Sequence, residues 1–226
     1  MGTARSSAVA ALAARRCSDV VIYLHGFASS SQSGKATYLG QKLRAKGVRF
    51  AAPDLNLPDF STLTVTRMLE QTHALIANEQ EPVTLIGSSL GAFAAVNASA
   101  KWPDKIASLV LLAPALDLRD LGGEQLQAWR ESGHMTVFHF AYGRVMQVGY
   151  ALYEDAQRFD TFNADVRMPI LIFQGKQDTV VSPATVQAWS AARPNVALHM
   201  LDDDHQLGAS LDYMWKELQA FLQLPE

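Results

Sequence analysis

A serine stands at the centre of a Gly-x-Ser-x-Gly pattern in residues 87–91, between two segments of different character. An apolar, β-branched run over residues 83–86 predicts a buried strand before the pattern, and small residues over 90–101 predict a helix after it. In such a strand-to-helix turn the central serine has strained backbone angles, and the glycines leave room for strand and helix to approach. We therefore interpret Ser89 as a candidate nucleophile and Ser88 as its neighbour. The alternative is a serine that only caps the helix.

A serine hydroxyl is a weak nucleophile at neutral pH, so it needs a base, and the base needs an acid that orients it. Asp178 follows an apolar run at residues 170–173, and His205 follows the next predicted strand. Because the carboxyl ends of parallel strands meet at one edge of a sheet, we expect both side chains to lie near Ser89. The alternatives are Asp117 as the acid, and Asp178 as an ordinary turn residue.

Three consecutive acidic residues, 202–204, precede His205. Adjacent carboxylates converge poorly on one ion, and no other group of ligands accompanies them. We interpret the segment as an acidic loop that positions His205, and we predict neither a metal nor a cofactor.

The segment 29–35 lies between a predicted strand and a predicted helix, where a phosphate-binding loop would lie. Such a loop needs glycine at position 29 and serine or threonine at position 36. The sequence has Ser29 and Ala36, so the pattern excludes a phosphate-binding loop. We expect Lys35 to be a charge on the helix surface and Ser33 to cap the helix.

These residues must be positioned by strands that alternate with helices along most of the chain. Short apolar runs are typical of parallel strands buried on both faces, and helices of ten or more residues between them imply right-handed crossovers. The pattern predicts an α/β fold with about six mostly parallel strands and helices on both faces. The predicted strands are residues 19–25, 49–53, 83–86, 109–112, 170–173 and 196–201, and the predicted helices are residues 35–46, 65–79, 90–101, 184–192 and 210–222.

Residues 118–165 interrupt this alternation and are predicted to form a small lid. A helix is expected over residues 124–130, and residues 135–140 and 144–150 flank a turn as in a β-hairpin. Apolar side chains are concentrated in this hairpin, where they could line a substrate pocket. The candidates for substrate binding are Phe138, Phe140, Met146 and Tyr150, together with Met135 and Val148. The alternative is that they form only a small core of the lid.

The composition is typical of a soluble globular protein. The chain has 226 residues, 49% of them apolar and 18% charged, and a net charge of -3, which argues against disorder and against a dedicated nucleic-acid binder. Cys17 is the only cysteine, so we predict no disulfide framework and expect a cytoplasmic protein. No apolar run approaches the roughly 20 residues of a transmembrane helix, so we expect no stable membrane anchor. We expect an N-terminal extension at residues 1–18 and one domain at residues 19–226, and no pattern indicates the oligomeric state.

The motifs resemble the α/β-hydrolase superfamily across nearly the whole chain. Two segments are similar to the start of the small YqiA/YcfP-like esterases: Tyr-Leu-His-Gly-Phe at residues 23–27 and Ser-Ser-Ser-Gln-Ser-Gly-Lys-Ala at residues 29–36. The insertion is longer than in that group, so the substrates of the group carry over poorly.

The resemblance implies a role for each candidate residue. It assigns Ser89 as the nucleophile, His205 as the base and Asp178 as the acidic partner of that base. It also implies an oxyanion hole formed by the backbone N–H groups of Phe27 and Leu90.

The activity that the resemblance implies is hydrolysis of small-molecule carboxylic esters through an acyl-enzyme intermediate. An acyl thioesterase is the alternative among enzymes, because an acyl-enzyme does not reveal whether its leaving group was an alcohol or a thiol. A basic rim for a coenzyme A phosphate would favour that alternative. The basic cluster Lys35, Lys42, Arg44 and Lys46 is a candidate rim, although a solvated helix face explains it equally well. The alternative from another class is a non-catalytic, ligand-binding protein with the hydrolase fold.

Overall fold

The structure, a computed structural model, describes residues 18–118 and 123–225, and its centre is a parallel sheet. Within these residues the strands are β1 (Val20–Leu24), β2 (Arg49–Ala51), β3 (Val83–Ser88), β4 (Ile106–Leu112), β5 (His134–His139), β6 (Arg144–Gly149), β7 (Ile170–Gly175) and β8 (Val196–Leu201). Six of them form one sheet in the order β2-β1-β3-β4-β7-β8 with every pair parallel, whereas β5 and β6 form an antiparallel hairpin. The predicted α/β fold is confirmed. Apart from Ser18, the predicted N-terminal extension lies outside the described residues.

Helices cover both faces of this sheet, as the sequence predicts. In the described residues they are α1 (Gly34–Ala45), α2 (Val65–Ile76), α3 (Leu90–Lys101), α4 (Glu124–Ser132), α5 (Ala151–Ala156), α6 (Pro183–Ala191) and α7 (Leu211–Phe221), with 3₁₀ turns at Phe60–Thr62 and Pro103–Lys105. Side chains alternate between the faces along each strand. In β1, Ile22 packs in a core with α2, α3 and α6, and Tyr23 packs in a core with α1 and α7. Among the described helices, none is both long and apolar enough to cross a membrane.

The register of the parallel strands brings their carboxyl ends to one edge of the sheet. Ser88 of β3 is paired with Leu112 of β4, which is paired in turn with Phe173 of β7. Gly175, the last residue of β7, is paired with Leu201, the last residue of β8. The turn after β3 and the loops after β7 and β8 therefore begin at the same edge, which is where open parallel sheets place their ligand sites.

The insertion between β4 and β7 contains the helix and the hairpin that the sequence predicts. The indole N–H of Trp129 donates to the Val148 carbonyl oxygen at 3.1 Å, which joins α4 to β6. The Asp155 carboxylate of α5 accepts from the backbone N–H and the hydroxyl of Thr66, at 2.6 and 2.7 Å, and fastens the insertion to α2. Residues 119–122 of the predicted lid lie outside the described residues.

Two glycines allow α3 to begin in close contact with the sheet. A Cβ atom on Gly87 would lie 2.5 Å from the Cα atom of Ala92, and a Cβ atom on Gly91 would lie 2.1 Å from the carbonyl oxygen of Leu24. Both contacts are with backbone atoms, which cannot move aside without shifting the helix or the strand. The two glycines therefore leave the room that the Gly-x-Ser-x-Gly pattern predicts.

We expect Gly91→Ala to lower the free energy of unfolding by about 2 kcal/mol, because the added methyl group overpacks a contact between backbones. Urea unfolding followed by circular dichroism measures the change. Gly34→Ala is the matched control, since a Cβ atom at Gly34 would have no heavy atom within 4 Å. Equal urea midpoints for the two variants would contradict this account of Gly91.

Candidate active site

Ser89 lies in the turn between β3 and α3 with φ 52° and ψ -117°. This left-handed conformation is uncommon for a residue with a side chain, and the neighbouring backbone holds it in place. The Ser89 N–H donates to the Leu112 carbonyl oxygen at 3.0 Å, and the Ser89 carbonyl oxygen accepts from the Ala92 N–H at 2.9 Å. The Ser89 side chain makes no capping hydrogen bond to α3, so the structure disfavours the interpretation as a helix cap.

His205 and Asp178 are in direct contact between the loops that follow β8 and β7. The His205 ring donates from Nδ1 to Asp178 Oδ2 at 2.8 Å, and the Asp178 side chain is completely buried. Asp178 Oδ1 accepts from the backbone N–H groups of Val180 and Val181, both at 2.8 Å. The carboxylate of Asp178, the acid that the resemblance implies, is therefore hydrogen-bonded to His205.

Hydrogen bonds keep Asp178 charged despite its burial. Burial acts to raise the pKa of this carboxyl, but the Val181 N–H, the His205 ring and the Gln174 amide donate to the carboxylate and hold its pKa below the ordinary value. Gln174 Nε2 donates at 2.9 Å to the same Oδ2 atom that His205 contacts. A charged Asp178 retains the proton of His205 on Nδ1 and leaves Nε2 with a free lone pair.

Sequence reasoning missed Gln174, which is completely buried in β7. The signal that could have found it is a polar side chain within an otherwise apolar strand, four residues before Asp178. A buried amide needs hydrogen-bond partners, and the nearby carboxylate is one.

Ser89 and His205 come from the same edge of the sheet, yet no hydrogen bond joins their side chains in the part of the chain that the structure describes. Hydrogen bonds between a nucleophile and its base are often long in the absence of substrate and tighten when substrate binds. The site therefore has an imidazole that Asp178 orients and a serine with strained backbone angles, and their side chains are not hydrogen-bonded to each other.

The turn after β1 packs directly against the Ser89 turn. A Cβ atom on Gly26 would lie 3.1 Å from both the Ser88 carbonyl oxygen and the Ser89 Cβ atom, so the two backbones are in contact. Phe27 follows in this turn, and Leu90 is the first residue of α3. Both backbone N–H groups that the resemblance implies for the oxyanion hole thus belong to segments next to Ser89.

His25 supports the turn after β1 as a neutral imidazole. Its Nδ1 atom donates to the Gly26 carbonyl oxygen at 2.9 Å, and its Nε2 atom accepts from the Leu55 N–H at 2.9 Å. Burial lowers the pKa of His25, which favours the uncharged ring that these two bonds require. His25 thus shapes the turn that contains Phe27.

The tip of the β5–β6 hairpin is fastened to the same region. The Phe140 N–H donates to the Ala28 carbonyl oxygen at 3.0 Å, and the Tyr142 hydroxyl donates to Asp54 Oδ2 at 3.0 Å. The Tyr142 ring stacks on the ring of His139, which is completely buried, with centroids 4.1 Å apart. The lid therefore rests on the turn that carries the candidate oxyanion hole.

The hairpin separates the four side chains that the sequence offers for substrate binding. Phe138 and Phe140 are 50% and 78% exposed, with their rings 5.4 Å apart. Met146 and Tyr150 are half-buried and pack on the core, where the Tyr150 ring lies 5.7 Å from the Trp129 ring. Phe138 is paired with Val145 across the hairpin, so the two share a face, and Met146, the next residue after Val145, points to the opposite face. Phe138 is therefore directed outwards and Met146 inwards. The structure does not bring the four together on one surface.

The acidic residues before His205 each have a different partner. The pairs, all at 2.7 or 2.8 Å, are Asp202 with Lys176 Nζ, Asp203 with Ser210 Oγ, and Asp204 with the Gln206 N–H. Over residues 18–118 and 123–225, no group of three or more His, Cys, Asp or Glu side chains could hold a metal ion.

Lys35, which the sequence predicts to be a charge on the helix surface, makes a long-range contact that the sequence does not predict. Its side chain is half-buried, and its Nζ atom donates to the Gln206 carbonyl oxygen at 2.8 Å. The loop after β8 thus reaches the start of α1, a contact between residues 171 positions apart. Ser33 does cap α1, since its hydroxyl accepts from the Ala36 N–H at 3.3 Å.

The fold and the site together define a class of protein. A parallel sheet with a strained serine turn after one central strand, and with Asp and His in the loops after later strands, is the arrangement of the α/β-hydrolase superfamily, to which this chain belongs. The chain belongs to the Uncharacterised protein family UPF0227, whose model matches residues 20–223, and the resemblance seen in the sequence is confirmed. No curated protein matches the sequence.

Solved structures share this fold at low sequence identity. Est1E from Butyrivibrio proteoclasticus with ferulic acid bound has a TM-score of 0.77 and 21% identity, over 92% of this chain and 89% of that chain. Alpha/beta hydrolase domain-containing protein 10 from mouse has a TM-score of 0.76 and 20% identity, over 90% and 89%. Monoacylglycerol lipase of Paleococcus ferrophilus has a TM-score of 0.74 and 15% identity, over 90% and 93%. At these identities the likeness establishes the fold.

We expect Asp178→Asn to lower the urea midpoint at pH 7, and the difference from wild type to shrink as the pH falls below about 4. The pKa of Asp178 is lower in the folded protein than in an unfolded chain. Its stabilising contribution is therefore present above the unfolded-state value and is lost as the pH falls through the folded-state value. Urea unfolding at pH 7, 5 and 3 measures the effect.

Asp165→Asn is the control for this pH dependence. Hydrogen bonding to Arg167 also lowers the pKa of Asp165, but both side chains are largely exposed, so solvent screens the pair and its contribution is small. A difference between Asp178→Asn and wild type that is the same at pH 7 and pH 3 would contradict the role given to the Asp178 charge.

Proposed function

We propose that this protein is a serine hydrolase that cleaves carboxylic esters through an acyl-enzyme intermediate. The observation that carries the proposal is the strained Ser89 turn at the sheet edge where a buried carboxylate orients His205. An unusual backbone conformation of this type costs about 1–3 kcal/mol and clusters at active sites. The ferulic acid bound to Est1E and the lipase activity in the name of the Paleococcus ferrophilus enzyme support ester chemistry on this fold.

In the first step the Ser89 hydroxyl oxygen attacks the ester carbonyl carbon while His205 Nε2 takes the hydroxyl proton. Nε2 is free to do so because Nδ1 donates to Asp178. The imidazolium that forms lies beside the buried carboxylate, which stabilises its charge. This step requires His205 Nε2 to lie within hydrogen-bond distance of the Ser89 hydroxyl when substrate is bound.

The negative charge that develops on the carbonyl oxygen needs donors that are already in position. The backbone N–H groups of Phe27 and Leu90 supply them, each with about 3 kcal/mol of transition-state stabilisation. Leu90 is the first residue of α3, so the partial positive charge at the helix N-terminus acts on the same oxygen.

His205 then gives its proton to the leaving alcohol, and a water molecule repeats the sequence to release the acid from Ser89. These steps require no metal and no cofactor. In this proposal residues 19–226 form the hydrolase domain, residues 118–165 form its lid, and the substrate is a small-molecule ester hydrolysed in the cytoplasm.

A thioester would follow the same steps, but the basic cluster gives only weak support for a site that binds coenzyme A. The Lys35 ammonium already donates to the Gln206 carbonyl oxygen in the loop after β8. Lys42 and Arg44 lie over the rings of Tyr38 and Phe50, at 5.6 and 5.0 Å, as charges on a helix surface commonly do. The ester is therefore the substrate class we propose.

We expect Ser89→Ala to reduce turnover of p-nitrophenyl acetate by about 10⁴-fold or more, because the covalent step loses its nucleophile. Intact mass after treatment with a fluorophosphonate probe should show one adduct on the wild-type protein and none on this variant. Ser88→Ala is the matched control, a neighbouring serine that should retain both the adduct and turnover.

An adduct that persists in Ser89→Ala, or is lost only in Ser88→Ala, would overturn the assignment of the nucleophile. Neither adduct nor turnover in the folded wild-type protein would favour the ligand-binding alternative over an enzyme.

We expect Phe140→Ala to reduce kcat/KM for p-nitrophenyl octanoate about tenfold more than for the acetate. A long acyl chain that leaves the Ser89 turn can cover the exposed Phe140 side chain, and burying a Phe contributes about 1.5 kcal/mol or more. Tyr213→Ala, which removes an exposed aromatic from α7, is the control and should leave the ratio unchanged. If Phe140→Ala leaves the ratio of kcat/KM for the octanoate to that for the acetate unchanged, the outer face of the hairpin has no role in the choice of substrate.

A further inference from the structure

A chain of aromatic rings joins the turn after β1, residues 25–29, to the tip of the β5–β6 hairpin. The ring of Phe27, whose backbone N–H is a proposed oxyanion donor, lies 5.4 Å from the Phe60 ring, measured between centroids. The Phe60 ring lies 4.8 Å from the His139 ring at 86°, and the His139 ring stacks on the Tyr142 ring at 4.1 Å and 8°. Aromatic pairs in such arrangements attract each other, so the rings connect the hairpin tip to Phe27.

A second set of contacts leads from the Tyr142 hydroxyl back to the same turn. The hydroxyl donates to Asp54 Oδ2 at 3.0 Å, and Asp54 Oδ1 accepts from Asn56 Nδ2 at 2.8 Å. The same Nδ2 atom donates to the Ser29 carbonyl oxygen, also at 2.8 Å. Tyr142 is therefore connected to both ends of the segment 27–29, through its ring and through its hydroxyl.

The backbone between these two ends has an uncommon conformation. Ala28, the residue after Phe27, has φ 51°, in the left-handed region that a residue with a side chain adopts only when its surroundings hold it there. The hairpin provides part of that support, since the Phe140 N–H donates to the Ala28 carbonyl oxygen at 3.0 Å. The turn that presents the Phe27 N–H thus depends on contacts with the lid.

His139 supplies an acceptor at the centre of the aromatic chain. Its side chain is completely buried, and its Nδ1 atom accepts from the Tyr142 N–H at 3.3 Å. Burial lowers the pKa of His139, which favours the neutral ring that can accept this bond. Its Nε2 atom has no hydrogen-bond partner among the residues that the structure describes, which disfavours burial of the imidazole. An apolar ring would avoid that cost but could not hold the backbone of Tyr142.

The position of the Phe27 N–H matters because an oxyanion donor acts over a narrow range of distance. A misplacement of about 1 Å by a change far from the reacting atoms can reduce the rate about 100-fold. The donor must also be in place before charge develops on the carbonyl oxygen, since reorganisation at that moment would cost free energy. None of the steps of the proposed mechanism uses Tyr142, Asp54 or His139 directly.

We propose that Tyr142 is a positioning residue of the lid, which holds the turn after β1 so that the Phe27 N–H meets the oxyanion. It acts through its ring on His139 and through its hydroxyl on Asp54. The inference deepens the proposed function and rests on it. The two contacts are separable, because Tyr142→Phe removes only the hydroxyl and Tyr142→Leu removes the ring as well.

The first test is the kinetics of p-nitrophenyl acetate hydrolysis. We expect Tyr142→Phe to lower kcat and kcat/KM each about tenfold and to leave KM unchanged, because a misplaced donor weakens an interaction made only in the transition state. Tyr142→Leu should lower both about 100-fold. Tyr213→Phe is the matched control and should keep the wild-type kinetics. It removes a hydroxyl that is hydrogen-bonded to His199 Nδ1 at 2.8 Å, from a tyrosine of similar exposure, 44% against 39% for Tyr142.

Inhibition by trifluoroacetone separates misplacement of the donor from a loss of stability. The Ser89 oxygen adds to the carbonyl carbon of this ketone, His205 takes the hydroxyl proton, and the negative charge comes to lie on the former carbonyl oxygen. The inhibition constant should rise in Tyr142→Phe by the same factor as kcat/KM falls, about tenfold, because the adduct resembles the transition state. A variant that is only less stable would have a lower urea midpoint and an unchanged inhibition constant.

A double-mutant cycle tests whether the hydroxyl acts through Asp54. In the background of Asp54→Ala, Tyr142→Phe should lower kcat/KM by about twofold or less, because the hydroxyl has already lost its acceptor. A tenfold loss in that background would overturn the role of Asp54. If Asp54→Ala does not fold, as judged by circular dichroism, the kinetics and the inhibition constant of Tyr142→Phe decide the proposal.

Amide hydrogen exchange measured by NMR gives a result that does not depend on turnover. The N–H groups of Phe140 and Leu55 both donate to acceptors in the turn after β1. Both should exchange about tenfold faster in Tyr142→Phe than in the wild-type protein, and at the wild-type rate in Tyr213→Phe. A wild-type protein without turnover or probe adduct would refute the proposed function, and the exchange rates would still show whether Tyr142 holds the turn.

Faster exchange together with a parallel change of kcat/KM and of the inhibition constant supports the proposal. Exchange rates in Tyr142→Phe equal to those of the wild-type protein would overturn it. So would a change in Tyr142→Phe that affects KM alone, or kinetics the same as those of Tyr213→Phe.

Discussion

The carboxylate of Asp178 is removed from solvent, and the arrangement of the site follows from the way its charge is satisfied. Its two oxygens accept hydrogen bonds from four donors: the N–H groups of Val180 and Val181, the Gln174 amide and the His205 ring. A buried carboxylate with fewer donors would take up a proton and would no longer select the tautomer of the imidazole. Gly175 makes the arrangement possible, because a Cβ atom there would lie 2.4 Å from the Asp204 carbonyl oxygen and would push the two loops apart.

Local sequence patterns predict the sheet well, because parallel strands buried on both faces require continuous apolar runs such as residues 170–173. The same reasoning places Ser89, Asp178 and His205 at one edge, since parallel strands share their carboxyl edge. The contact of Lys35 could not be predicted in this way, because its partner is 171 positions distant and no local pattern encodes such a pair. Gln174 does carry a local signal, a polar side chain in an apolar strand, but the sequence does not show that its hydrogen-bond acceptor is Asp178.

The lid shows where prediction from sequence ends. Its helix and hairpin follow from local periodicity, but apolar residues occur on both faces of the hairpin, so the pattern does not decide which face packs inwards. That choice depends on the 3₁₀ turn Phe60–Thr62, where the Phe60 ring lies 4.8 Å from His139 and a Cβ atom on Gly149 would lie 3.0 Å from Ser61. The Phe140 N–H also donates to the Ala28 carbonyl oxygen, so the hairpin tip and the turn after β1 are held together.

The order of the strands has a consequence for synthesis on the ribosome. The turn of Ser89 is held by β1, β3 and β4, which all precede residue 113, whereas the loop of His205 follows β8 at the edge of the sheet. At translation rates of about 5–20 residues per second, the remaining chain takes roughly 5–20 s to emerge. The Ser89 turn and the His205 loop can therefore meet only after β8 has left the ribosome, and a chain that ends before residue 205 has no imidazole for the Asp178 carboxylate to orient.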